Sequence, residues 1–311
     1  MHVVDNPGEL RPTRRIMPDL RKLAPPKTSS VIASIQKTEA SYPARLRVLS
    51  HPPDVLWVRG RLPVQGQRAV ALVGARAATG TGCARARALA CELARRGFLI
   101  ISGGAFGIDA AAHEGALDAQ APTLAVLGCG VDVIYPDRHG PLFSRITAQG
   151  GLLSEYAPGT PPRARQFPAR NRIIAALADA VIVVEAAYRS GALITAALAR
   201  SLGRPLLALA GSPGTNSLLQ RKWANAIADS DDVEAVLTGS PIAQPAAPVL
   251  AGNAAVLFSI LCEGASTPGL LSRRTGLPLP TVMAVLAEAE LDGWLSRGPG
   301  NQFEVIRRGC Q

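Results

Sequence analysis

Five short apolar runs constrain the fold of this chain more than anything else in it: Ala69–Val73, Phe98–Ile101, Thr123–Leu127, Ala180–Val184 and Pro205–Leu209. Helix-length stretches separate them, and most are closed by glycine. Continuous apolar runs of this length are what strands look like when both faces of a parallel sheet are covered. Between the first two, Ala84–Arg96 holds good helix formers and stops at Gly97, as a helix C-terminus does. The pattern predicts an α/β fold with a doubly wound, mostly parallel sheet.

Flanking segments set the domain plan. Residues 1–41, with Pro7, Pro12, Pro18, Pro25 and Pro26, lack apolar periodicity and predict a basic, mostly irregular N-terminal arm. Residues 42–237 form the sheet domain. Residues 238–252, uncharged and rich in Ala, Pro and Gly, predict a linker. Residues 253–306 predict three short helices, Ala254–Cys262, Gly269–Thr275 and Thr281–Asp292, and a closing hairpin, the order of a small winged-helix domain. Its third helix offers Thr281, Met283, Glu288, Glu290 and Asp292 where a DNA-reading helix needs Arg, Lys, Asn or Gln. That composition points to protein contact.

Chemistry gathers where the predicted strands end. The first runs into Gly74–Gly82, the second into Ser102-Gly103-Gly104-Ala105-Phe106-Gly107, the fourth into Ser190-Gly191 and the fifth into Gly211–Asn216. Glycine turns before helices bring backbone N–H groups toward anions, so four such rims on one edge predict a phosphate or nucleotide pocket. The dinucleotide fingerprint is absent, as is the G-x-x-x-x-G-K-[ST] loop, so neither NAD, FAD nor P-loop ATP hydrolysis is expected. Asp109 reads as a charge in a first helical turn, and His113 as a packing residue. No Ser/His/Asp spacing, paired carboxylates or metal-ligand cluster stands out. The expectation is binding without catalysis, cofactor or metal.

Net charge and one decapeptide say what is bound. With 33 Lys+Arg against 23 Asp+Glu the chain carries +10, and polyanions are attracted to such an excess. Residues 250–311 hold five of each sign, so the excess lies elsewhere. Arg163-Ala164-Arg165-Gln166-Phe167-Pro168-Ala169-Arg170-Asn171-Arg172 has four arginines, one aromatic and no acid. Arginines track phosphates, and Phe167 offers a face on which unpaired bases stack. We read this stretch as a basic loop, with Asn171 and Arg172 opening the next helix. Asp179 and Glu185 interrupt the richest apolar stretch, leaving no membrane span, and no secretory signal is visible, so the expected location is the cytoplasm.

In order, Val73-Gly74-Ala75-Arg76, Ser102 through His113, Ala125 through Gly130, Asp132 through Pro136, Phe167 through Ile174, and Glu185-Ala186 with Arg189-Ser190-Gly191 closely resemble the DNA-processing protein A (DprA/Smf) family, over about Tyr42–Leu237. The resemblance implies a Rossmann-like core that binds single-stranded DNA without reading sequence. It also implies homodimers that help load the RecA recombinase during natural transformation, with no catalytic turnover. The implied DNA-binding residues are Gly74, Arg76, Gly103, Gly104, Gly107, Phe167, Arg170, Asn171, Ser190 and Gly191, with Arg163 and Arg165 in a stretch that is basic in relatives. Ala75 departs from the usual Ser or Thr, Phe106 from Arg or Tyr, and the loop after Gly211 is short. The C-terminal segment resembles the family's winged-helix appendage. A phosphoribohydrolase-like enzyme of the same superfamily, built around Glu185 and Arg189, is the alternative. So is a nucleotide-sensing regulator, which the acidic third helix disfavours.

Overall fold

The computed structural model describes residues 31–64, 66–240, 252–291 and 295–305. The first thirty residues of the predicted arm and residues 241–251 of the predicted linker lie outside them. The N-terminal unit is built on strands β1 (Ile32–Gln36), β2 (Val55–Gly60), β3 (Ala69–Val73), β4 (Leu99–Ser102), β5 (Thr123–Val126), β6 (Gly151–Ser154), β7 (Ala180–Val183), β8 (Leu206–Leu209) and β9 (Asn225–Ile227). Its helices are α1 (Gly80–Arg95), α2 (Ile108–Asp118), α3 (Gly140–Gln149), α4 (Gln166–Leu177), α5 (Gly191–Ser201), α6 (Pro213–Gln220) and α7 (Ser230–Thr238).

The nine strands form one sheet in the order β1-β2-β6-β5-β4-β3-β7-β8-β9. From β6 to β9 every pairing is parallel, while β2 joins β6, and β1 joins β2, antiparallel. All five predicted runs are strands of the parallel portion. The parallel portion starts in the middle at β3, works outward through β4, β5 and β6, then returns to β3's other side with β7. Strand order therefore reverses between β3 and β7, and crevices for ligands open at the carboxyl ends of such a pair.

Alternation along the strands divides the core. Ala71, Val73, Ile101 and Val126 face α4 and α5, meeting Ile173, Ile174, Ala196 and Ala199. Val70, Leu72 and Ile100 face the opposite way, onto Ala86, Leu89 and Leu93 of α1 and Ile108 and Ala112 of α2. Every residue of β3 is buried, which is why its sequence shows no polar alternation.

Two features differ from the sequence expectation. The segment predicted as an irregular arm contains β1, an edge strand of which only Ile32 and Ile35 are partly buried. The basic stretch 163–172 is mostly helix: only 163–165 are loop, and α4 already begins at Gln166, five residues before Asn171. Gln166 assists the start by accepting the Arg163 N–H on its side-chain oxygen at 2.6 Å.

The C-terminal unit comprises α8 (Asn253–Glu263), α9 (Pro268–Thr275), α10 (Leu279–Leu291) and the hairpin β10 (Leu295–Gly298) with β11 (Gln302–Val305). Leu257, Leu261, Leu271, Val282, Leu286, Leu295 and Phe303 form its core. Ser266 and Phe303 exchange backbone hydrogen bonds at 2.9 and 2.8 Å, tying the α8–α9 turn to the hairpin. This is the winged-helix order, three helices and a wing. On α10, Glu290 accepts from Arg297 of the hairpin at 3.0 Å, so one of the predicted acidic groups is tied within the unit.

Candidate functional site

At the β3–β7 seam lies a cleft of about 670 Å³. One wall is the turn after β3, with Gly74, Ala75 and Arg76. Facing it are α4, through Phe167, Arg170 and Asn171, and the start of α5, through Arg189, Ser190 and Gly191. Residues separated by more than a hundred positions thus share one cavity because β3 and β7 are neighbours.

The aromatic and cationic groups form a platform. The Arg76 guanidinium lies 5.2 Å from the Phe167 ring centroid, and the Tyr135 ring is 5.4 Å from Phe167, tilted by 35°. Arg76 is exposed and Phe167 half-buried, so the ring's free surface and the guanidinium are both open to a ligand. Phe106 adds an exposed ring nearby (43% exposed), braced edge-on by His139 at 4.7 Å. Arg163 and Arg165 are exposed at the start of α4, beside cleft-lining Pro162 and Ala164.

Arg170 sits differently from the other arginines. Only 4% exposed, it donates to Gly103 O at 2.6 Å and to Val126 O. Burial pushes its pKa down to about 10, against the opposing pull of Asp109, so it stays cationic at neutral pH. Asp109, also buried, has its pKa raised by the same desolvation, offset by Arg170 and by the Ala105 N–H. The space left by Gly103 is where they meet: a Cβ there would stand 2.6 Å from both Arg170 Nη2 and Asp109 Oδ2. Arg170 thus fixes the turn containing Gly103, Gly104 and Gly107, with its charged fork turned into the protein. Asn171 reaches across to Gly191 O at 3.5 Å.

The four glycine rims, expected to act together on an anion, do not. At α1 the Glu185 carboxylate already accepts from Thr79. At α2 Asp109 accepts the Ala105 N–H at 3.4 Å. At α6 the Gly211 N–H goes to Asn216 Oδ1 at 3.0 Å, and Ser212 and Thr215 close a reciprocal cap. α5, like α6, carries no acid in its first turn, and Ser190 caps it with a hydroxyl, 3.3 Å from Ala192 N. Gly107, with φ +74°, serves to turn the chain into α2. Of the predicted site residues, Gly74, Arg76, Phe167, Arg170, Asn171, Ser190 and Gly191 line the main cleft. Gly103 and Gly104 line a smaller recess behind Arg76 and Phe167.

Tyr135, given no role from the sequence, and Arg189, placed only in the enzymatic alternative, both line the cleft. Their signal was position alone, Tyr135 beyond the β5 strand and Arg189 immediately before Ser190-Gly191. Glu185, the carboxylate of the enzymatic alternative, does not line the cleft and is engaged by Thr79. Among the described residues no group of three or more His, Cys, Asp or Glu could hold a metal, and no helix is long and apolar enough to cross a membrane.

Comparison with known proteins decides the lineage. The family model described as DNA recombination-mediator protein A matches residues 33–238. The chain belongs to the DprA family. A model of the DprA winged helix domain matches residues 241–301. The putative DNA processing protein DprA of Mycobacterium tuberculosis is 41% identical over 283 residues, 86% of this chain and 72% of the relative. Protein Smf of Escherichia coli is 36% identical over 285 residues, 86% of this chain and 76% of the relative. The X-ray structure of DprA from Streptococcus pneumoniae superposes with a TM-score of 0.63 at 37% identity, covering 67% of this chain and 75% of that one. DprA from Helicobacter pylori, described for its single-stranded DNA binding mode, gives 0.62 at 32% identity, covering 68% and 98%. The DprA fold of a mostly parallel sheet followed by a winged helix is therefore that of this chain.

Proposed function

We propose that this DprA-family chain binds single-stranded DNA along the β3–β7 cleft without reading its sequence. The observation that carries the reading is the Arg76–Phe167–Tyr135 platform at the cleft, beside the N-terminus of α5, which has no acid in its first turn. Phe167 stacks an unpaired base, which a duplex cannot present, and Arg76 and Arg189 hold the flanking phosphates. Arg163 and Arg165 extend the track from the rim. Gly74 lets the β3 turn come close, and Ser190 and Gly191 present the α5 terminus to a phosphate. Arg170, with Gly103, Gly104 and Gly107, shapes the platform, and Asn171 holds α4 against α5. The H. pylori relative, described as binding single-stranded DNA, supports the same ligand class here.

The reading extends, on the strength of the family's description as a recombination mediator, to a homodimer that protects incoming strands and passes them to RecA during transformation. We assign residues 42–237 to strand binding and residues 253–306, with five acids against three arginines, to contact with protein. The chain acts by binding and not by turnover, since Asp109, the one carboxylate lining the cleft, is buried against Arg170 and the Ala105 N–H.

Fluorescence anisotropy of a labelled oligothymidylate tests this. Unlabelled single strand of any sequence displaces the label, and duplex or mononucleotide at equal concentration does not. Displacement by one particular duplex sequence, or cleavage of a mononucleotide, refutes it.

A further inference from the structure

The N-terminus of α1 follows the first central strand at the point where strand order reverses. In doubly wound sheets this is where a ligand's phosphate is held by helix N–H groups. In this chain the place is filled from within. Glu185, two residues beyond β7, turns its carboxylate onto the helix: the Thr79 N–H donates to Oε1 at 3.0 Å and the Thr79 hydroxyl to Oε2 at 2.7 Å. Thr79 is itself the cap of α1, its oxygen accepting the Gly82 N–H at 2.9 Å. The fit is close enough that a Cβ on Gly82 would overlap Glu185 Oε2 and lie 3.0 Å from its Cδ. The Glu185 backbone is anchored too, its carbonyl accepting the Ala75 N–H at 2.8 Å.

The first turn of α1 has no acid of its own, so the negative charge that answers its dipole comes from a strand end 106 residues away. A glycine-lined helix start with a carboxylate seated on it has the same donors and charge complement as a phosphate complex, with the anion supplied by the chain. The adjacent α5 start is the opposite case: a hydroxyl cap, no acid in the first turn, and Arg76 and Arg189 lining the cleft beside it.

We propose that Glu185 is a specificity-determining residue, its carboxylate occupying the phosphate seat of α1 so that pyrophosphate and nucleoside diphosphates are excluded there and a polyanion is left only the α5 side of the seam. The second half rests on the strand-binding function proposed above; the exclusion at α1 does not.

Calorimetric titration of the full chain with inorganic pyrophosphate, and separately with oligothymidylate, tests it. Replacing Glu185 with alanine vacates the seat. Glu185→Ser does so with a hydroxyl left for the Thr79 amide, for the case in which the alanine chain does not fold. The vacated chain is expected to bind pyrophosphate at least tenfold more tightly than the unaltered one, and to keep that gain when Arg76→Ala is added. Pyrophosphate is also expected to raise the melting midpoint of the vacated chain and leave the parent's unmoved. A folded Glu185→Ala or Glu185→Ser chain with no gain overturns the inference, as does a gain abolished by Arg76→Ala. If the unaltered chain fails to bind oligothymidylate while the vacated chains gain pyrophosphate, the proposed function falls and the role of Glu185 stands.

Discussion

Two arginines in one helix-and-turn platform do different work, and their variants separate them. Arg76 is exposed over Phe167. Arg76→Ala is therefore expected to weaken oligothymidylate binding and lower the salt slope by about 0.7, with thermal stability unchanged, as read by anisotropy across a salt series. Arg170 is buried beside Asp109. Arg170→Ala leaves a buried carboxylate uncompensated and is expected to cost about 3–5 kcal/mol of stability, measured by urea unfolding. His113 gives a pH prediction. Thr123 uses its hydroxyl proton on Ile100 O, so His113 Nδ1 must donate to Thr123 Oγ1, leaving Nε2 a bare lone pair in a buried site. Burial pushes its pKa from 6.5 down to about 3. Its stabilising contribution is complete above the unfolded value and is lost as pH falls toward the folded one. His113→Gln should flatten the fall in unfolding free energy between about pH 6 and 4; an unchanged slope counts against this. Composition showed that 163–172 was cationic. It could not show which arginine turns inward, because that depends on Gly103 and Val126, which meet Arg170 only through the packing of α4 on the sheet.

At the level of elements, five of the seven parallel strands were legible because burial on both faces removes polar alternation, as in Ala69–Val73. The edges and one interior strand were not. β1 is half-solvated, β9 has three residues with Asn225 exposed, and the interior β6 starts on glycine. Each lacks the length or the continuous apolar character that marks a strand. Helix starts were half legible: glycines announced them and neighbouring residues such as Thr79 and Ser190 cap them, but the carboxylate seated on Thr79 comes from Glu185, 106 residues away. That long-range cap makes a prediction for α1. Thr79→Ala removes both the oxygen that accepts Gly82 N–H and the hydroxyl that donates to Glu185. The expected loss is about 1–2 kcal/mol in chemical denaturation, the upper part of the N-cap range, because two partners are lost. A loss indistinguishable from that of an exposed mid-helix substitution would show that the cap contributes nothing.

The whole molecule behaves as a charged sheet domain joined to a neutral appendage, and its salt response should reveal that division. If Arg76, Arg163, Arg165 and Arg189 meet about four phosphates, the logarithm of the association constant should fall with the logarithm of salt at a slope of about −3 for single strands. Arg273→Ala, on the winged-helix unit, should leave it unchanged. A slope near zero rules out the phosphate track, and one that halves on changing Arg273 moves part of it to the appendage. The division was visible in the sequence as charge, since residues 250–311 balance to zero. The seam was not, because the pairing of β3 with β7 appears in no local pattern.

That pairing also orders events during synthesis. β3 finds β4 within about thirty residues, but its other edge waits for β7, on the order of a hundred residues later. At about 5–20 residues per second the ribosome takes roughly 5 to 20 seconds to cover that distance. Throughout that interval a strand that is fully buried in the finished protein has one side bare. The cleft is consequently the last part of the sheet's centre to exist: a nascent chain halted before Ala180 has Arg76 and the beginning of α1, but neither Glu185 to seat on that helix nor an α5 to face it.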